Sequence, residues 1–282
     1  MNTDNLVSAA ELAAQIGDPR LLVVDCRADL ADAERARAAH AAAHLPGSVH
    51  ADLEHDLSDL SKQGLGRHPL PEADAFAATL SRWGWQPGLR VVALDDAHGA
   101  LAAARLWWML RLVGAREVAV LDGGLAAWRA AGLPLVADVV ARVPTRITVD
   151  YDDSAMVDFA ALGAGLADAS LLLVDARAEP RYRGDVEPID RVAGHVPGAV
   201  NRPFSLNLQA DGRFKPAAEL RAGFLDLIGG RDPREVVHMC GSGVTACHNL
   251  LAMEHAGLAG SRLFAPSWSG WSSDPARPVE RG

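Results

Sequence analysis

The stretch Val236–Leu251 reads "VVHMCGSGVTACHNLL". A short, mostly apolar run ends at Cys240. Gly241, Ser242, Gly243, Val244 and Thr245 follow, mostly small, and a helical pattern begins at Ala246. The order is strand, tight loop, helix. In open parallel sheets, ligands bind beyond the carboxyl ends of the strands, which is where Cys240 stands. Glycines let consecutive N–H groups turn toward one point. The helix behind them adds the partial positive charge of its N-terminus. A thiolate is stabilised in such a place, so Cys240 is the expected nucleophile and loop residues 241–245 its expected anion cradle. The competing reading is an inert, packed cysteine, but a Gly-Ser-Gly flank is poor core material.

Three familiar thiol chemistries do not fit. A phosphatase loop needs an arginine six residues after its cysteine, where Ala246 stands. A thioredoxin-type pair needs a second cysteine three residues on, where Gly243 stands. A papain-type protease needs different flanks and a later histidine.

Working outward, the chain repeats itself. "LLVVDCRA" at Leu21–Ala28 returns as "LLLVDARA" at Leu171–Ala178, and "HLPGSV" at His44–Val49 returns as "HVPGAV" at His195–Val200. "RVVALDD" ending at Asp96 parallels "EVVHMCG" ending at Gly241, and "LDGGLAAW" at Leu121–Trp128 parallels "FAPSWSGW" at Phe264–Trp271. Four blocks in one order indicate a duplicated domain. Buried strands are expected at Leu21–Val24, Val91–Leu94, Val118–Leu121, Leu171–Val174, Val236–Met239 and Arg262–Phe264, with helical patterns between them. Strand–helix alternation predicts an α/β fold, two tandem domains each with a parallel sheet and helices on both faces. The boundaries are drawn at residues 1–140, a linker at 141–154, and residues 155–282. In the first half the place of Cys240 is taken by Asp95, so that half is expected to be catalytically silent.

The 282 residues suit two domains, and 49% apolar content supplies their cores. A formal net charge of -9 argues against a general nucleic-acid or anionic-membrane surface but permits a local basic pocket. No apolar run approaches the length of a membrane span. "MNTDNLVSAAELAAQIGDPR" shows no export-signal pattern, and the three cysteines are few and odd in number. Reduced thiols and a cytoplasmic location are therefore expected. No cofactor motif is present. His238, Cys247 and His248 suggest a metal cluster at first sight, but consecutive helix positions point about 100° apart, so no metal site is expected.

"CGSGVTA" at Cys240–Ala246, "VDCR"/"VDAR", "HLPGSV"/"HVPGAV", "RLWWMLRLVG", "LDGGLAAW" and "WSGW" together resemble the rhodanese family of sulfurtransferases over nearly the full length. The resemblance implies two rhodanese-like domains with catalysis only in the second. The neutral Gly241 and Ser242 look like the 3-mercaptopyruvate branch; thiosulfate-preferring relatives carry basic residues there. The implied reaction moves sulfane sulfur from a small-molecule donor through a Cys240 persulfide to cyanide, a thiol or a reduced thioredoxin-like protein. Thiosulfate as donor, or a non-catalytic sensing module, are the alternatives.

The resemblance also maps substrate binding onto Arg181 in "RAEPRYRG", with the loop residues Gly241, Ser242, Gly243, Val244 and Thr245. A second substrate arginine falls on Arg191, off the family's usual place. Arg177 is expected to brace the loop through Asp175. Related enzymes use a relay of histidine, aspartate and loop serine, which maps onto His44, Asp32 and Ser242. Asp32 is one residue off the family spacing, with Asp29 beside it. His195 fills the place of His44 in the second half, so both histidines are equally readable as strand anchors.

Overall fold

A computed structural model describes residues 5–138 and 141–282. Residue 140, where the first domain was expected to end, lies outside the described residues, as do residues 1–4 of the N-terminal stretch. Backbone contacts divide the chain into two compact units. The first holds the described residues through Asp59, Leu70–Asp152 and Ala210–Arg213. The second holds Leu60–Pro69, Asp153–Gln209 and Phe214–Gly282. The division departs from the sequence blocks: residues 60–69 lie inside the first repeat, between "HLPGSV" and "RVVALDD", yet pack within the second unit, and Ala210–Arg213 of the second repeat pack within the first.

The expected linker has no regular element from residue 141 to residue 152. Residues 141–152 belong to the first unit, where their polar groups are spent, and Asp153 and Ser154 to the second. Thr145 donates its N–H to Ser81 O (3.1 Å) and its hydroxyl to Trp85 O (2.6 Å). Tyr151 donates its hydroxyl to Pro71 O (3.0 Å), and Asp152 donates its N–H to Leu112 O (2.9 Å).

In the first unit, strands β1 (Leu6–Val7), β2 (Leu21–Asp25), β3 (Val49–His50), β4 (Arg90–Leu94) and β5 (Val118–Leu121) form one parallel sheet in the order β1-β5-β4-β2-β3. In the second, β6 (Leu172–Asp175), β7 (Val200–Asn201), β8 (Val236–Met239) and β9 (Arg262–Leu263) are parallel in the order β7-β6-β8-β9. Each interior strand falls where the apolar runs place it, within one residue at either end. The two-residue edge strands β1, β3 and β7 are too short to leave a periodic pattern. A single parallel bridge from Met156 to Leu263 stands against β9 as β1 stands against β5.

Burial explains the apolar runs. Parallel strands covered on both faces read as continuous Val and Leu, and Val24, Val91, Val92, Leu94, Val120 and Leu121 are at most 1% exposed. Each such side chain contributes roughly 1.5–3 kcal/mol. Leu173, Val237, Met239, Phe264 and Trp268 make the matching core of the second unit. No helix among the described residues is long and apolar enough to cross a membrane.

The repeated "VD-x-R" motif has one task in both units. The carboxylate ending β2 or β6 accepts from the arginine two residues on: Arg27 N–H and Nε reach Asp25 at 3.1 and 3.0 Å, and Arg177 N–H and Nε reach Asp175 at 2.9 and 3.0 Å. The buried guanidinium then ties down carbonyls of the following segment, Ala43 O at 3.0 Å from Arg27 and Gly194 O at 2.8 Å from Arg177. Asp95 shows what the loop after β4 is built to hold. Its carboxylate, fully buried, accepts four backbone N–H groups, from Ala97 (2.9 Å), Gly99 (2.7 Å), Leu101 (3.1 Å) and Ala103 (3.1 Å). Burial pushes this carboxyl up, and the four donors push back. Asp95→Ala leaves those donors unmatched in a dry interior. It is expected to cost about 2–4 kcal/mol in chemical denaturation, with Asp95→Asn losing less.

Candidate active site

Cys240 follows the last residue of β8 and is 1% exposed. The chain leaves the sheet here because its polar groups turn to a second partner, the short helix Ser267–Trp271. Cys240 N–H donates to Ser267 Oγ (3.1 Å), Trp268 N–H to Cys240 O (3.0 Å) and Ser269 N–H to Gly241 O (2.9 Å). Ser267 sits at φ +52° and also donates its hydroxyl to Phe264 O (3.1 Å), so its strained backbone is held from two sides. Gly243 is at φ +77°, and a Cβ there would lie 2.3 Å from Ala265 O. Only glycine fits. Behind the loop the helix Ala246–His255 begins, buried from Ala246 to Met253, with its N-terminus at the loop.

Two guanidinium groups lie over the first loop residue. A Cβ on Gly241 would be 2.9 Å from Arg67 Nη2 and 3.6 Å from both terminal nitrogens of Arg181. Arg181 comes from the helix Glu179–Arg183 and is held by Glu187 (2.7 Å) and Asp190 (3.1 Å). Burial pushes the Glu187 carboxyl up, but Arg181 and the N–H groups of Asp190 and Ile189 outweigh it and keep it below the usual carboxylate range. Arg67 comes from the 60–69 segment and pairs with the other oxygen of Asp190. Its backbone is pinned: Arg67 N–H donates to Ser269 Oγ (3.0 Å), and a Cβ on Gly66 would lie 2.5 Å from Pro266 O. One residue on, His68 Nδ1 is 2.8 Å from Ser242 Oγ, both residues buried.

Against this geometry stand the known proteins. The model of the rhodanese-like domain family matches residues 8–131 and 158–274. A Pseudomonas aeruginosa protein named "Probable 3-mercaptopyruvate sulfurtransferase" is 48% identical across 100% of both chains. The chain belongs to the rhodanese-like domain family, and it is a sulfurtransferase. A thiosulfate sulfurtransferase from Cricetulus griseus is 32% identical over 98% of this chain and 95% of its own. The crystal structure of SseA from Escherichia coli, a 3-mercaptopyruvate sulfotransferase, superposes with TM-score 0.80 at 31% identity, covering 95% of this chain and 100% of that one.

Within this rhodanese fold the residues singled out from sequence separate into two groups. Cys240, Gly241, Ser242, Gly243, Val244, Thr245 and Arg181 gather at the end of β8. Arg191 is exposed; it lines a cavity of about 390 Å³ with Arg67, Asp190 and Ser269. His44 and Asp32 make other contacts. Asp32 is exposed and caps the helix Ala33–Ala42, accepting Arg35 N–H at 3.2 Å. The His44 ring stacks on His40 (4.3 Å) with Nδ1 2.8 Å from His40 O, and its backbone pairs with Val136. His195 does the same in the second unit, stacking on Tyr182 (3.8 Å), placing Nδ1 2.8 Å from Tyr182 O and pairing with Glu280. The shared geometry is that of a strand anchor. The histidine at the Ser242 hydroxyl is His68.

Arg67, His68 and Asp190 escape a reading of the sequence. The first two lie in "QGLGRHPLP", more than 170 residues before Ser242, and nothing in their spacing links them to the loop. Their one local signal is an Arg-His pair beside glycines. His238, Cys247 and His248 take separate partners. His238 Nε2 lies 3.1 Å from Met253 Sδ, Cys247 donates to Gly243 O (3.4 Å), and His248 Nδ1 is 3.0 Å from Asn207 Nδ2. Burial drives His238 down to about 3, which keeps it neutral at physiological pH. Cys26 is fully buried, its N–H donating to Leu94 O (2.7 Å), and burial pushes its thiol well up. Trp268 donates its indole N–H to Val192 O (2.8 Å) and lies over Arg177. At Gly270 any side chain would strike Pro266 and the backbone at Gly66.

Replacing Gly243 by alanine should therefore unfold the loop locally. A loss of at least about 2 kcal/mol in thermal unfolding is expected, together with altered alkylation of Cys240 by iodoacetamide. Normal stability and labelling in that variant would refute the geometry.

Proposed function

We propose that the protein takes sulfur from 3-mercaptopyruvate and passes it to a thiol or cyanide through a persulfide on Cys240. The observation that carries this reading is a cysteine at the mouth of a small-residue loop, with two guanidinium groups within reach of the next residue. The equivalent loop of the first unit supports it, since there four amides close on a carboxylate. In the second unit the thiol replaces that carboxylate, so the same kind of loop is suited to a thiolate and then to a persulfide anion.

The steps balance as follows. Cys240 thiolate attacks the donor's sulfur, an S–S bond forms, and the donor's C–S bond breaks. The electron pair passes to the methylene carbon as the enolate of pyruvate, which takes one proton to give pyruvate. Arg181 suits the donor's carboxylate through its planar fork. Ser242 and His68, hydrogen-bonded to each other, are suited to deliver the proton. A thiolate or cyanide then attacks the outer sulfur, the S–S bond breaks, and Cys240 returns as thiolate. A reduced thioredoxin-like protein would serve as such a thiol. The chemistry needs a reduced thiol, in keeping with a cytoplasmic setting. Thiosulfate is the second reading, since two cations flank Gly241, although Glu187 and Asp190 offset their charge.

Mass spectrometry after exposure to 3-mercaptopyruvate should find one added sulfur atom on Cys240, lost on adding cyanide. Cys240→Ser should lower turnover by at least about 10³-fold; transfer at the parent rate would end the proposal. His68→Asn and Ser242→Ala should each lower kcat for 3-mercaptopyruvate by about 10–10²-fold, and the double variant by little more than either single one. Additive losses would separate the two residues.

A further inference from the structure

Asp190 is the residue on which the two loop cations meet. Its Oδ1 pairs with Arg67 Nη1, and its Oδ2 lies 3.1 Å from Arg181 Nη2. Its side chain is 5% exposed, whereas those of Arg67 and Arg181 are 31% and 19% exposed. The carboxylate thus sits beneath the guanidinium groups and leaves part of each cation open. Glu187 is engaged differently: it accepts from Arg181, from Arg177 (3.4 Å) and from the N–H groups of Ile189 (3.1 Å) and Asp190 (3.0 Å), which makes it the brace of its own turn.

Within the ion-paired cluster beside Gly241 the charges cancel, while the exposed Arg191 lines the adjoining cavity. Arg67 and Arg181 contribute two positive charges, Glu187 and Asp190 two negative ones. A donor that arrives with one carboxylate can be oriented by the forks at modest electrostatic gain. A dianion profits more from uncompensated positive charge, and here Asp190 removes it. In a partly desolvated site, one unit of charge shifts the balance between a monoanionic and a dianionic donor.

We infer that Asp190, acting through Arg67 and Arg181, is the specificity-determining residue that sets the charge of the donor pocket and so disfavours dianionic donors against monoanionic ones. It is a positioning residue, because it reaches the donor only through the two arginines. The inference rests on the sulfurtransferase reading of Cys240.

The test is the ratio of kcat/KM for thiosulfate to kcat/KM for 3-mercaptopyruvate, measured on the full chain with cyanide as acceptor. Asp190→Asn keeps the shape and frees one positive charge. It should raise the ratio at least about tenfold, chiefly through a lower KM for thiosulfate. Arg67→Gln shifts the balance the other way and should lower the ratio by about threefold or more, and in the double variant the rise should be largely cancelled. The effect in Asp190→Asn should shrink as salt is raised from about 20 to about 500 mM, as a charge effect does. An unchanged ratio in Asp190→Asn, or equal losses for both donors, would show Asp190 to be a structural brace and overturn the inference. Should Asp190→Asn fold poorly, the Arg67→Gln ratio decides alone: no fall in it overturns the inference. Absence of any Cys240-bound sulfur in the parent protein with either donor would instead refute the sulfurtransferase reading itself.

Discussion

The backbone at Cys240 belongs to two structures at once. Up to Met239 it is a strand paired with β6; from Cys240 its N–H and C=O are taken by Ser267 and Trp268. That exchange of partners fixes where the sulfur stands. The loop then has to fold back within five residues to start the helix at Ala246, and the carbonyl of Ala265 presses so close that Gly243 has no alternative. The arginines, the histidine and the cavity beside them are arranged around a point which this exchange defines.

The first unit shows the same construction put to another use. β4 ends as β8 ends, and a loop one residue longer leads to the helix Ala102–Leu112. Its amides converge on Asp95, which belongs to the chain itself. The anion site is thereby filled by a fixed internal ligand, and the stabilisation goes to the fold. One architecture can hold a permanent carboxylate or a thiol, and the side chain after the strand decides which. The same economy applies to His44 and His195, which tie equivalent segments with equivalent hydrogen bonds.

Much of this was legible in the sequence because it is local. The strand interiors show as unbroken apolar runs, and the duplication shows in "VDCR" and "VDAR", whose residues bond to one another two positions apart. The thiol loop announces itself through Gly241, Ser242 and Gly243. What stayed hidden depends on the tertiary fold. β1, β3 and β7 are two residues long and have no period to detect. Arg67 and His68 approach the loop from a segment that packs with the second unit, and no pattern of spacing marks that. The motif of His44 is conspicuous because it is repeated, but repetition here marks a shared structural duty, and the histidine at the Ser242 hydroxyl is His68. Arg191 was the only cation in its stretch, yet the guanidinium that accompanies Arg181 is Arg67.

The placement of residues 60–69 means that the two repeats are not interchangeable cassettes. A gene fragment starting at the second repeat would encode Cys240 and Arg181 but omit the residues that meet Gly241 and Ser242 from outside. Cutting the chain at the repeat boundary would part Cys240 from Arg67 and His68, so the second repeat by itself lacks part of the surroundings of its own loop.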